Sequence, residues 1–492
     1  MFRKIRTTLA VVFWVLITWL LLDFTGAAHT YLGWMARIQF MPAVLALNVG
    51  ALLFIVALTL LLGRIYCSVI CPLGVMQDAI ARLRRKRFKY RYSEARNILR
   101  YACLAFAGLM LMLNLGWAAS LLMPYGTYGR IVGSLVAPLY KMGNNALAGL
   151  AEHYDSYAFY SVDVWVKSLP ALVISLIALL VIGVLAWRGG RTWCNTVCPV
   201  GTLLGLIARR PLYRPVIDTS RCNGCGLCAR SCKSACIDNK SHSVDMSRCV
   251  MCGDCEDACT RGAIRIGTLK PVGNSAPTAA PADAAPAHDN PAAQEGVDNG
   301  RRAVLTSVAV LASTALLHAE DKTTDGGLAL IEQKQKPMRR TLITPPGSLS
   351  ARNMRQHCIT CQLCIDACPN DVLRPSSKAD RLMQPEVSYE RGYCRPECNR
   401  CSQVCPTGAI QPVTVEERTA IQVGHAVWTR DLCIPVRDGK TCGLCARKCP
   451  AQAIQMVPLV QGVHFDGRRW LDADNQPIPR EQALLIPVVN EE

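Results

Sequence analysis

Four long apolar stretches alternate with polar, mostly basic segments over the first 215 residues of the chain. The apolar stretches cover about residues 8–23, 42–63, 98–124 and 169–187. A helix that crosses the hydrocarbon core of a bilayer needs about 20 predominantly apolar residues. We therefore predict a membrane domain over residues 1–215 that contains four transmembrane helices.

The charges between these stretches predict the orientation of the helices. Arg3, Lys4 and Arg6 precede the first stretch, and Arg and Lys are frequent between the second and third stretches and again after the fourth. The segment between the third and fourth stretches is nearly balanced in charge. Because cytoplasmic loops carry an excess of Lys and Arg, we expect the N-terminus, the second loop and the segment after the fourth helix in the cytoplasm.

The rest of the chain alternates between cysteine-rich and other segments. Residues 216–269 are cysteine-rich and follow the fourth helix into the cytoplasm. Residues 270–299 are rich in Ala and Pro, which is typical of a flexible linker. Residues 300–319 begin with Gly-Arg-Arg before an apolar run, as bacterial twin-arginine signals do. We predict that this run crosses the membrane as a linking helix and that residues 320–492 form a periplasmic domain.

Composition and charge agree with a membrane protein. Hydrophobic residues make up 51% of the 492 residues and charged residues only 18%, which is apolar for a soluble chain. The net charge of +18 is compatible with nucleic-acid binding. The largest basic cluster, at residues 82–91, follows an apolar segment directly, however, as cytoplasmic membrane loops do. We therefore expect no nucleic-acid partner.

The cysteines form the clearest chemical pattern. All 26 except Cys103 and Cys236 fall into seven tight groups, and three groups, at 222–232, 249–259 and 358–368, share the spacing C-x2-C-x2-C-x3-C. This spacing is typical of [4Fe–4S] sites, and in paired motifs the fourth cysteine of each motif ligates the other cluster. The sequence predicts one cluster on Cys222, Cys225, Cys228 and Cys259 and a second on Cys249, Cys252, Cys255 and Cys232.

Zinc sites and disulfides explain this pattern less well. Zinc sites favour two C-x2-C pairs, or Cys mixed with His, at wider spacing. Disulfide frameworks belong to small secreted domains. Cys103 lies within the third apolar stretch and is predicted to be a buried structural thiol. Cys236 is also predicted to be structural, with replacement of Cys232 as the alternative.

Three further groups lie in the predicted periplasmic domain. By the same cross-ligation, we assign Cys358, Cys361, Cys364 and Cys405 to one cluster, and Cys394, Cys398, Cys401 and Cys368 to another. The last group is Cys433, Cys442, Cys445 and Cys449, and no cysteine follows it. Either these four hold one cluster, or Cys449 serves elsewhere and a partner chain completes the site. The four thiolates of this group match the four ligands of one cubane, so we favour one cluster here. The chain is then predicted to hold about five [4Fe–4S] clusters in all.

The remaining two groups are near copies of each other. Cys67-x3-Cys71-Pro-Leu-Gly and Cys194-x3-Cys198-Pro-Val-Gly each follow the cytoplasmic end of an apolar stretch, which indicates an internal duplication. Three interpretations compete: structural turns, a thiol or disulfide redox site near a quinone, and a metal or iron–sulfur site with two cysteines from each copy. We predict a redox role and take these four as the candidate catalytic residues, with the last two interpretations both open.

Other redox cofactors lack support in the sequence. A C-x2-C-H motif for covalent haem does not occur, and no pair of histidines stands at haem-like spacing in a predicted span. No Gly-rich nucleotide loop follows a strand, so flavin and nicotinamide sites are not expected. The predicted fold class is a membrane α-helical protein, a four-helix duplicated unit plus one linking transmembrane helix, with two α+β bacterial ferredoxin-like [4Fe–4S] domains.

The motifs resemble two known families joined in one chain. Residues 1–270 resemble the NapH/NosR type of quinol dehydrogenase membrane component, in their four helices, twin C-x3-C-P motifs and two cluster motifs. Residues from about 300 resemble the NapG/MauM ferredoxin-type proteins, in Arg301-Arg302 and the three later cysteine groups. NapG-like proteins usually carry a fourth such group, which this sequence lacks after Cys449.

The resemblance implies a function. It implies quinol oxidation from the membrane quinone pool and electron delivery to a periplasmic cytochrome or reductase, within a multisubunit complex. It implies a multi-pass protein of the bacterial inner membrane with iron–sulfur domains on both sides. The alternative is an accessory electron-supply or maturation factor for a periplasmic metalloenzyme.

Overall fold

A computed structural model describes residues 2–84, 90–156, 159–268, 342–390, 392–424, 426, 428–449, 452–459, 462–479 and 483–489. The chain divides into two compact units, Met1–Arg418 and Thr419–Glu492. The predicted linker at 270–299 and the predicted linking helix with its arginine pair at 300–319 lie outside the described residues.

The first half of the chain is helical, and we call residues 2–207 the helical domain. Its first copy contains α1 (Phe2–Leu22), α2 (Ala27–Arg37), α3 (Phe40–Leu45), α4 (Val49–Leu62), α5 (Tyr66–Val69) and α6 (Pro72–Leu83). Its second copy contains α7 (Asn97–Met112), α8 (Gly116–Ser120), α9 (Pro124–Ile131), a π-helix (Val132–Val136), α10 (Ala137–His153), α11 (Leu169–Gly189), α12 (Thr192–Thr196) and α13 (Pro199–Ile207). The elements α4–α5–α6 recur as α11–α12–α13, so the duplication seen in the sequence is also structural.

Two helices in the described part of the chain are long and apolar enough to cross a membrane, namely α1 and α11. The other two predicted spans are shorter than expected. The stretch at 42–63 is divided because Leu47 has a positive φ of 51° and Asn48 caps α4 by accepting a hydrogen bond from the Ala51 amide. The stretch at 98–124 is interrupted where Asn114 adopts a φ of 59°. Hydropathy alone does not detect such left-handed Asn or Leu residues.

The first cysteine-rich domain (residues 214–267) is a small α+β fold. Strand β1 (Arg214–Ile217) pairs antiparallel with β4 (Ile264–Gly267), and β2 (Ile237–Asp238) pairs with β3 (Ser243–Val244). The short helices α14 (Leu227–Ser231) and α15 (Asp254–Ala258) pack against each other. Its core consists of cysteines and apolar side chains such as Ile237, Met251 and Ile264.

The second cysteine-rich domain (residues 342–418) belongs to the same unit. It contains α16 (Ala351–His357), α17 (Leu363–Asp366), a 3-10 turn (Ala379–Arg381), α18 (Arg400–Val404) and the start of α19 (Val415–Ala420). Strands β5 (Leu373–Pro375) and β6 (Pro385–Val387) form an antiparallel pair. Helices α17 and α18 pack against each other as α14 and α15 do.

The C-terminal unit begins within α19. It contains a 3-10 turn (Arg430–Leu432), α20 (Ile434–Arg437) and α21 (Leu444–Lys448). Strand β7 (Ile454–Pro458) pairs antiparallel with β11 (Leu485–Val489). A second antiparallel sheet has the order β10 (Pro477–Ile478), β9 (Trp470–Leu471), β8 (His464–Phe465).

The two cysteine-rich domains lie at opposite ends of α1. At its N-terminal end, the Arg3 guanidinium forms ion pairs with Asp254 (3.0 Å) and Asp257 (2.7 Å) of the first domain. Beyond its C-terminal end, Gly26 faces the guanidinium of Arg400 in the second domain, 3.5 Å from where a Cβ would be. A helix of 21 residues is about 30 Å long at 1.5 Å per residue, which is the thickness of a bilayer core.

Candidate metal centres

The four thiols of the duplicated motif lie together inside the helical domain. Cys67 lies on α5 and Cys194 on α12, while Cys71 and Cys198 immediately precede α6 and α13. All four side chains are buried, and Cys198 interacts electrostatically with the other three. The proline after the second cysteine occupies the first helical position, where its missing N–H is harmless. The structure thus brings all four candidate catalytic residues to one place.

Two buried arginines cross between the copies and support this site. Arg64 Nη2 donates a hydrogen bond to the Cys194 carbonyl oxygen (3.0 Å), and Arg191 Nη1 donates one to the Cys67 carbonyl oxygen (2.5 Å). Both side chains are fully buried, and Arg191 Nη2 and Arg64 Nε have no hydrogen-bond partner in the described part of the chain. Arg191 already pairs with the Asp78 carboxylate (2.7 Å), whereas Arg64 has no carboxylate partner among the described residues, and a buried cation without one favours an anionic group nearby. The donor set therefore fits a thiolate-bound iron–sulfur cluster.

Two glycines, Gly74 and Gly201, make room for the side chains of Arg191 and Arg64. A side chain on Gly74 would collide with the Cys67 carbonyl oxygen and the Arg191 guanidinium, and one on Gly201 would collide with the Cys194 carbonyl oxygen and Arg64. We expect Gly74→Ala or Gly201→Ala to destabilise the protein by roughly 1–3 kcal/mol, the range for overpacking a filled interior. Thermal unfolding of the purified protein measures this.

The matched control is Gly108→Ala on α7, where nothing lies within 4 Å of the added methyl group. We expect this variant to be at least as stable as the wild type, by up to about 1 kcal/mol, since alanine at a helical position with free space carries no packing penalty and restricts the unfolded chain. Equal unfolding temperatures for all three variants would contradict the close packing described here.

Asp78 anchors the first cysteine-rich domain to the helical domain. Its carboxylate forms ion pairs with Arg191 (2.7 Å), Lys233 (3.0 Å) and Arg6 (3.3 Å). Burial alone would raise the pKa of Asp78, but the charges of Arg191 and Lys233 outweigh it and hold that pKa well below its usual range. Lys233 also pairs with Asp254 at 3.0 Å. Asp78 thus links Arg191, which lies next to the four thiols, to Lys233, which directly follows Cys232.

The first cysteine-rich domain brings its eight predicted ligands close to one another. Burial and then the neighbouring thiols of Cys222, Cys259 and Cys225 raise the pKa of Cys228. Burial and then Cys252, Cys232, Cys249 and Cys228 raise that of Cys255. The Cys236 sulfur lies 3.5 Å from that of Cys232, so Cys236 borders the second set. The ligand assignments themselves stay predictions.

The second cysteine-rich domain also brings its predicted ligands close to one another. Burial and the thiols of Cys361, Cys358 and Cys405 raise the pKa of Cys364. Burial and the thiols of Cys394, Cys368 and Cys398 raise that of Cys401 to about 12. Among the described residues, no three side chains of Cys, His, Asp or Glu converge as they would on one metal ion. A cubane does not need such convergence, because each cysteine binds a different iron.

The second domain is seated on α8 and α9 through its first cysteine loop. Arg130 of α9 is buried and donates hydrogen bonds to Thr360 Oγ1 (2.5 Å) and to Ser120. Side chains on Gly126 or Gly129 would collide with the carbonyl oxygens of Ile359 and Cys361. The loop between Cys358 and Cys361 therefore rests directly on the helix backbone.

The last cysteine group belongs to the C-terminal unit. Cys433 lies between the 3-10 turn and α20, while Cys442 precedes α21, Cys445 lies on it and Cys449 ends it. Cys445 is exposed and the other three are half-buried. Whether these four form one complete site stays a prediction.

Sequence reasoning missed the charged residues that surround the thiols. The same interval of 127 residues separates Cys67 from Cys194 and Arg64 from Arg191. The duplicated motif is thus longer, R-x2-C-x3-C-P-x-G, and aligning the two copies would have identified both arginines. Asp78 has no such signal, because its counterpart in the second copy is Gly205.

Known protein families match three parts of the chain. A family described as "4Fe-4S binding domain" matches residues 44–91 and 169–217, which contain the two C-x3-C-P motifs. A family described as "4Fe-4S dicluster domain" matches residues 357–409. A further "4Fe-4S binding domain" family matches residues 215–238 and 242–265. The chain therefore contains several iron–sulfur binding domains, and it carries the chemistry of electron transfer. No solved structure matches the chain.

Curated relatives are ferredoxin-type proteins. The protein is 33% identical over 140 residues to the methylamine utilization ferredoxin-type protein MauM of Methylobacillus flagellatus, a match that covers 27% of this chain and 58% of that protein. It is 28% identical over 188 residues to the ferredoxin-type protein NapH of Haemophilus influenzae, covering 38% of this chain and 53% of that protein.

The chain spans about half to three fifths of the length of these first relatives. It spans more of MauM from Methylorubrum extorquens, to which it is 30% identical over 192 residues, covering 37% of this chain and 76% of that protein. The chain thus belongs to the family of MauM ferredoxin-type iron–sulfur proteins.

Proposed function

We propose that this protein is an inner-membrane electron-transfer protein that oxidises quinol and passes the electrons to a periplasmic redox partner. The observation that carries the proposal is the placement of two cysteine-rich domains at opposite ends of α1, about 30 Å apart along the helix. Two domains so separated by an apolar helix suit a protein with iron–sulfur sites on both sides of a bilayer. The basic residues Arg3 and Arg6 stand at the end that carries the first domain, which favours the cytoplasm for that end.

The surface of the long helices supports a lipid environment. On α11, Leu176, Ile177, Leu180 and Val184 are each about half exposed. Soluble monomers rarely expose a continuous apolar face along a long helix. Lipid contact explains this face, and it also provides access for a lipid-soluble donor such as quinol.

The buried thiols lie between the two cysteine-rich domains. On one side, Arg64 donates a hydrogen bond to the Ser247 carbonyl oxygen of the first domain (3.0 Å). On the other side, α6 begins directly after Cys71 and packs against α9, which carries the cysteine loop of the second domain. This position suits a cluster that relays electrons between the two cysteine-rich domains. We therefore propose that Cys67, Cys71, Cys194 and Cys198 hold a cluster rather than form a disulfide.

The residues of this chain would hold and insulate the clusters, which when bound carry one electron at a time. Arg64, Arg191 and Arg130 place fixed positive charge beside the thiolates and so stabilise negative charge there. Burial of the thiols excludes water. We propose a periplasmic cytochrome or reductase as the acceptor, within a multisubunit complex.

Quinol-dependent reduction of the clusters tests the function. The full chain, purified in detergent with its clusters intact, is mixed anaerobically with decylubiquinol and with a menaquinol analogue, and EPR spectra are recorded. We expect at least one [4Fe–4S] signal to appear with one of the quinols. If the clusters stay oxidised with both quinols but are reduced by dithionite, the quinol dehydrogenase proposal is wrong. Loss of metal from a periplasmic enzyme on gene deletion would then favour the accessory role.

A further inference from the structure

A narrow crevice opens beside the second cysteine-rich domain, away from the duplicated thiols. It lies between the π-helix, the first turn of α11, the segment 163–168 and the first cysteine loop of that domain. Its cavity volume is only about 50 Å³, and the space reaches about 540 Å³ when the open solvent at its mouth is included. Part of its wall is apolar (Ala137, Pro138, Trp165, Ala171 and Leu172), and the same wall carries the charged side chains of Lys141, Asp163, Lys167 and Asp366. π-Helical turns occur frequently at functional sites.

A buried amide lines this crevice with an unused donor. The Gln362 side chain is 5% exposed, and its Oε1 accepts a hydrogen bond from Ser134 Oγ (3.1 Å). Its Nε2 has no hydrogen-bond partner among the described residues. Ser168 Oγ, also at the crevice, is likewise buried without a partner in the described part of the chain. Buried donors in native proteins are nearly always paired, so the crevice suits a ligand that offers oxygen acceptors.

The backbone at Gln362 is unusual for its residue type. Gln362 follows the second cysteine of its motif and has a φ of 64°. Glycine occupies the equivalent place in both motifs of the first domain, at Gly226 (φ 69°) and Gly253 (φ 77°). Glycine adopts this conformation without strain, whereas a residue with a Cβ is strained there. A strained residue that persists at a cavity indicates a role for its side chain.

The segment 163–168 is held in place by the second domain. Lys167 Nζ contacts Asp366 Oδ1 (3.0 Å) and the Ile365 carbonyl oxygen (3.1 Å). The Arg374 guanidinium stacks on the Trp165 ring, 4.5 Å from its centre. Both walls are therefore fixed before any ligand arrives, which lowers the entropic penalty of binding.

We propose that this crevice binds the ring of a quinol or quinone, with Gln362 Nε2 donating a hydrogen bond to a ring oxygen. The inference rests on the proposed function. A flat ring can lie in the open mouth against the apolar part of the wall, and an isoprenoid tail can follow the exposed apolar face of α11. Gln362 lies between the predicted ligands Cys361 and Cys364, so the ring is adjacent to a cluster site. Quinol oxidation yields quinone, two protons and two electrons; the clusters, when bound, take one electron each, and the protons leave through the mouth beside exposed Asp163.

Photolabelling of the full chain with an azidoquinone tests the site directly. We expect the label on peptides that cover 133–141 or 163–172, displaced by excess decylubiquinone. Gln362→Gly removes the amide while giving the backbone the residue that both first-domain motifs use. We expect this variant to keep its iron content and EPR spectrum and to lose labelling about tenfold. Gln411→Leu, an exposed residue of the same domain, should label like the wild type.

The outcomes separate this site from the proposed function. If quinol reduces the clusters but the label maps elsewhere, or Gln362→Gly labels normally, the crevice is not the quinone site and the function stands. If the label maps to the crevice and requires Gln362, but no quinol reduces any cluster, the site stands and the dehydrogenase proposal is wrong. Label that excess decylubiquinone does not displace, or that phospholipid displaces equally well, overturns the site.

Discussion

Replacing Cys67 and Cys194 by serine is expected to remove one whole cluster from this protein. Five [4Fe–4S] clusters require about 20 iron atoms per chain, and a sixth on the duplicated thiols raises this to about 24. The double substitution removes one ligand from each copy, and Ser is a far weaker iron ligand than Cys. We therefore expect about 24 iron atoms in the wild type and about 20 in the variant, with a parallel loss of acid-labile sulfide.

Iron and sulfide analysis of the two purified proteins, together with EPR redox titration, decides the matter. The control is Cys103→Ser, which changes a half-buried thiol on α7 outside all predicted ligand sets and should leave the iron content unchanged. If the wild type already contains only about 20 iron atoms and the double variant the same, the duplicated thiols hold no cluster, and a thiol–disulfide role becomes the better interpretation. The number of clusters on Cys433, Cys442, Cys445 and Cys449 is read from the same titration.

Asp78→Asn is expected to be the most damaging change outside the cysteines. It leaves Arg6, Arg191 and Lys233 buried around a neutral amide, and removal of one partner from a buried ion network costs about 3–5 kcal/mol. Thermal unfolding in detergent should show this loss, and hydrogen exchange should increase around residues 227–259, since Lys233 loses one of its two carboxylate partners and keeps only Asp254. Asp218→Asn, at an exposed ion pair of the same domain, should leave stability unchanged. Equal stability of Asp78→Asn and the wild type would mean that Asp78 does not anchor the domain.

The same network predicts a pH dependence. The pKa of Asp78 is lower in the folded protein than in the unfolded chain, where it is about 3.9. Its contribution is therefore fully present above that unfolded value and is lost as the pH falls further towards the folded value. In Asp78→Asn this part of the acid sensitivity should be absent. Unfolding temperatures measured between neutral pH and pH 3 compare the two proteins.

Much of this arrangement could be predicted from the sequence, because cysteine spacing is a strong local signal. The grouping of Cys228 with Cys259, and of Cys364 with Cys405, follows from the ferredoxin pattern, and the structure places these residues together. The duplication was equally readable from the repeated C-x3-C-P. Both signals are short motifs, so no knowledge of tertiary packing was needed.

The remainder depends on contacts between distant segments. Hydropathy predicted continuous spans where Asn48 and Asn114 interrupt the helices, since one capping residue barely changes a window average. Asp78 contacts residues more than 100 positions away, and no local pattern encodes that. The unusual backbone of Gln362 becomes visible only when its φ is compared with those of Gly226 and Gly253.

Asp78 and its counterpart Gly205 have a consequence for assembly. A helical domain built from two copies offers an asymmetric partner two similar docking orientations. In the first copy of the helical domain, the Asp78 carboxylate pairs with Lys233. At Gly205 there is no side chain, and Arg100 and the Ser247 carbonyl oxygen occupy the space. In the reversed orientation Lys233 would meet Arg100, and two like charges would be buried together. One carboxylate that is present in one copy and absent from the other thus favours one docking orientation on a nearly symmetric helical domain.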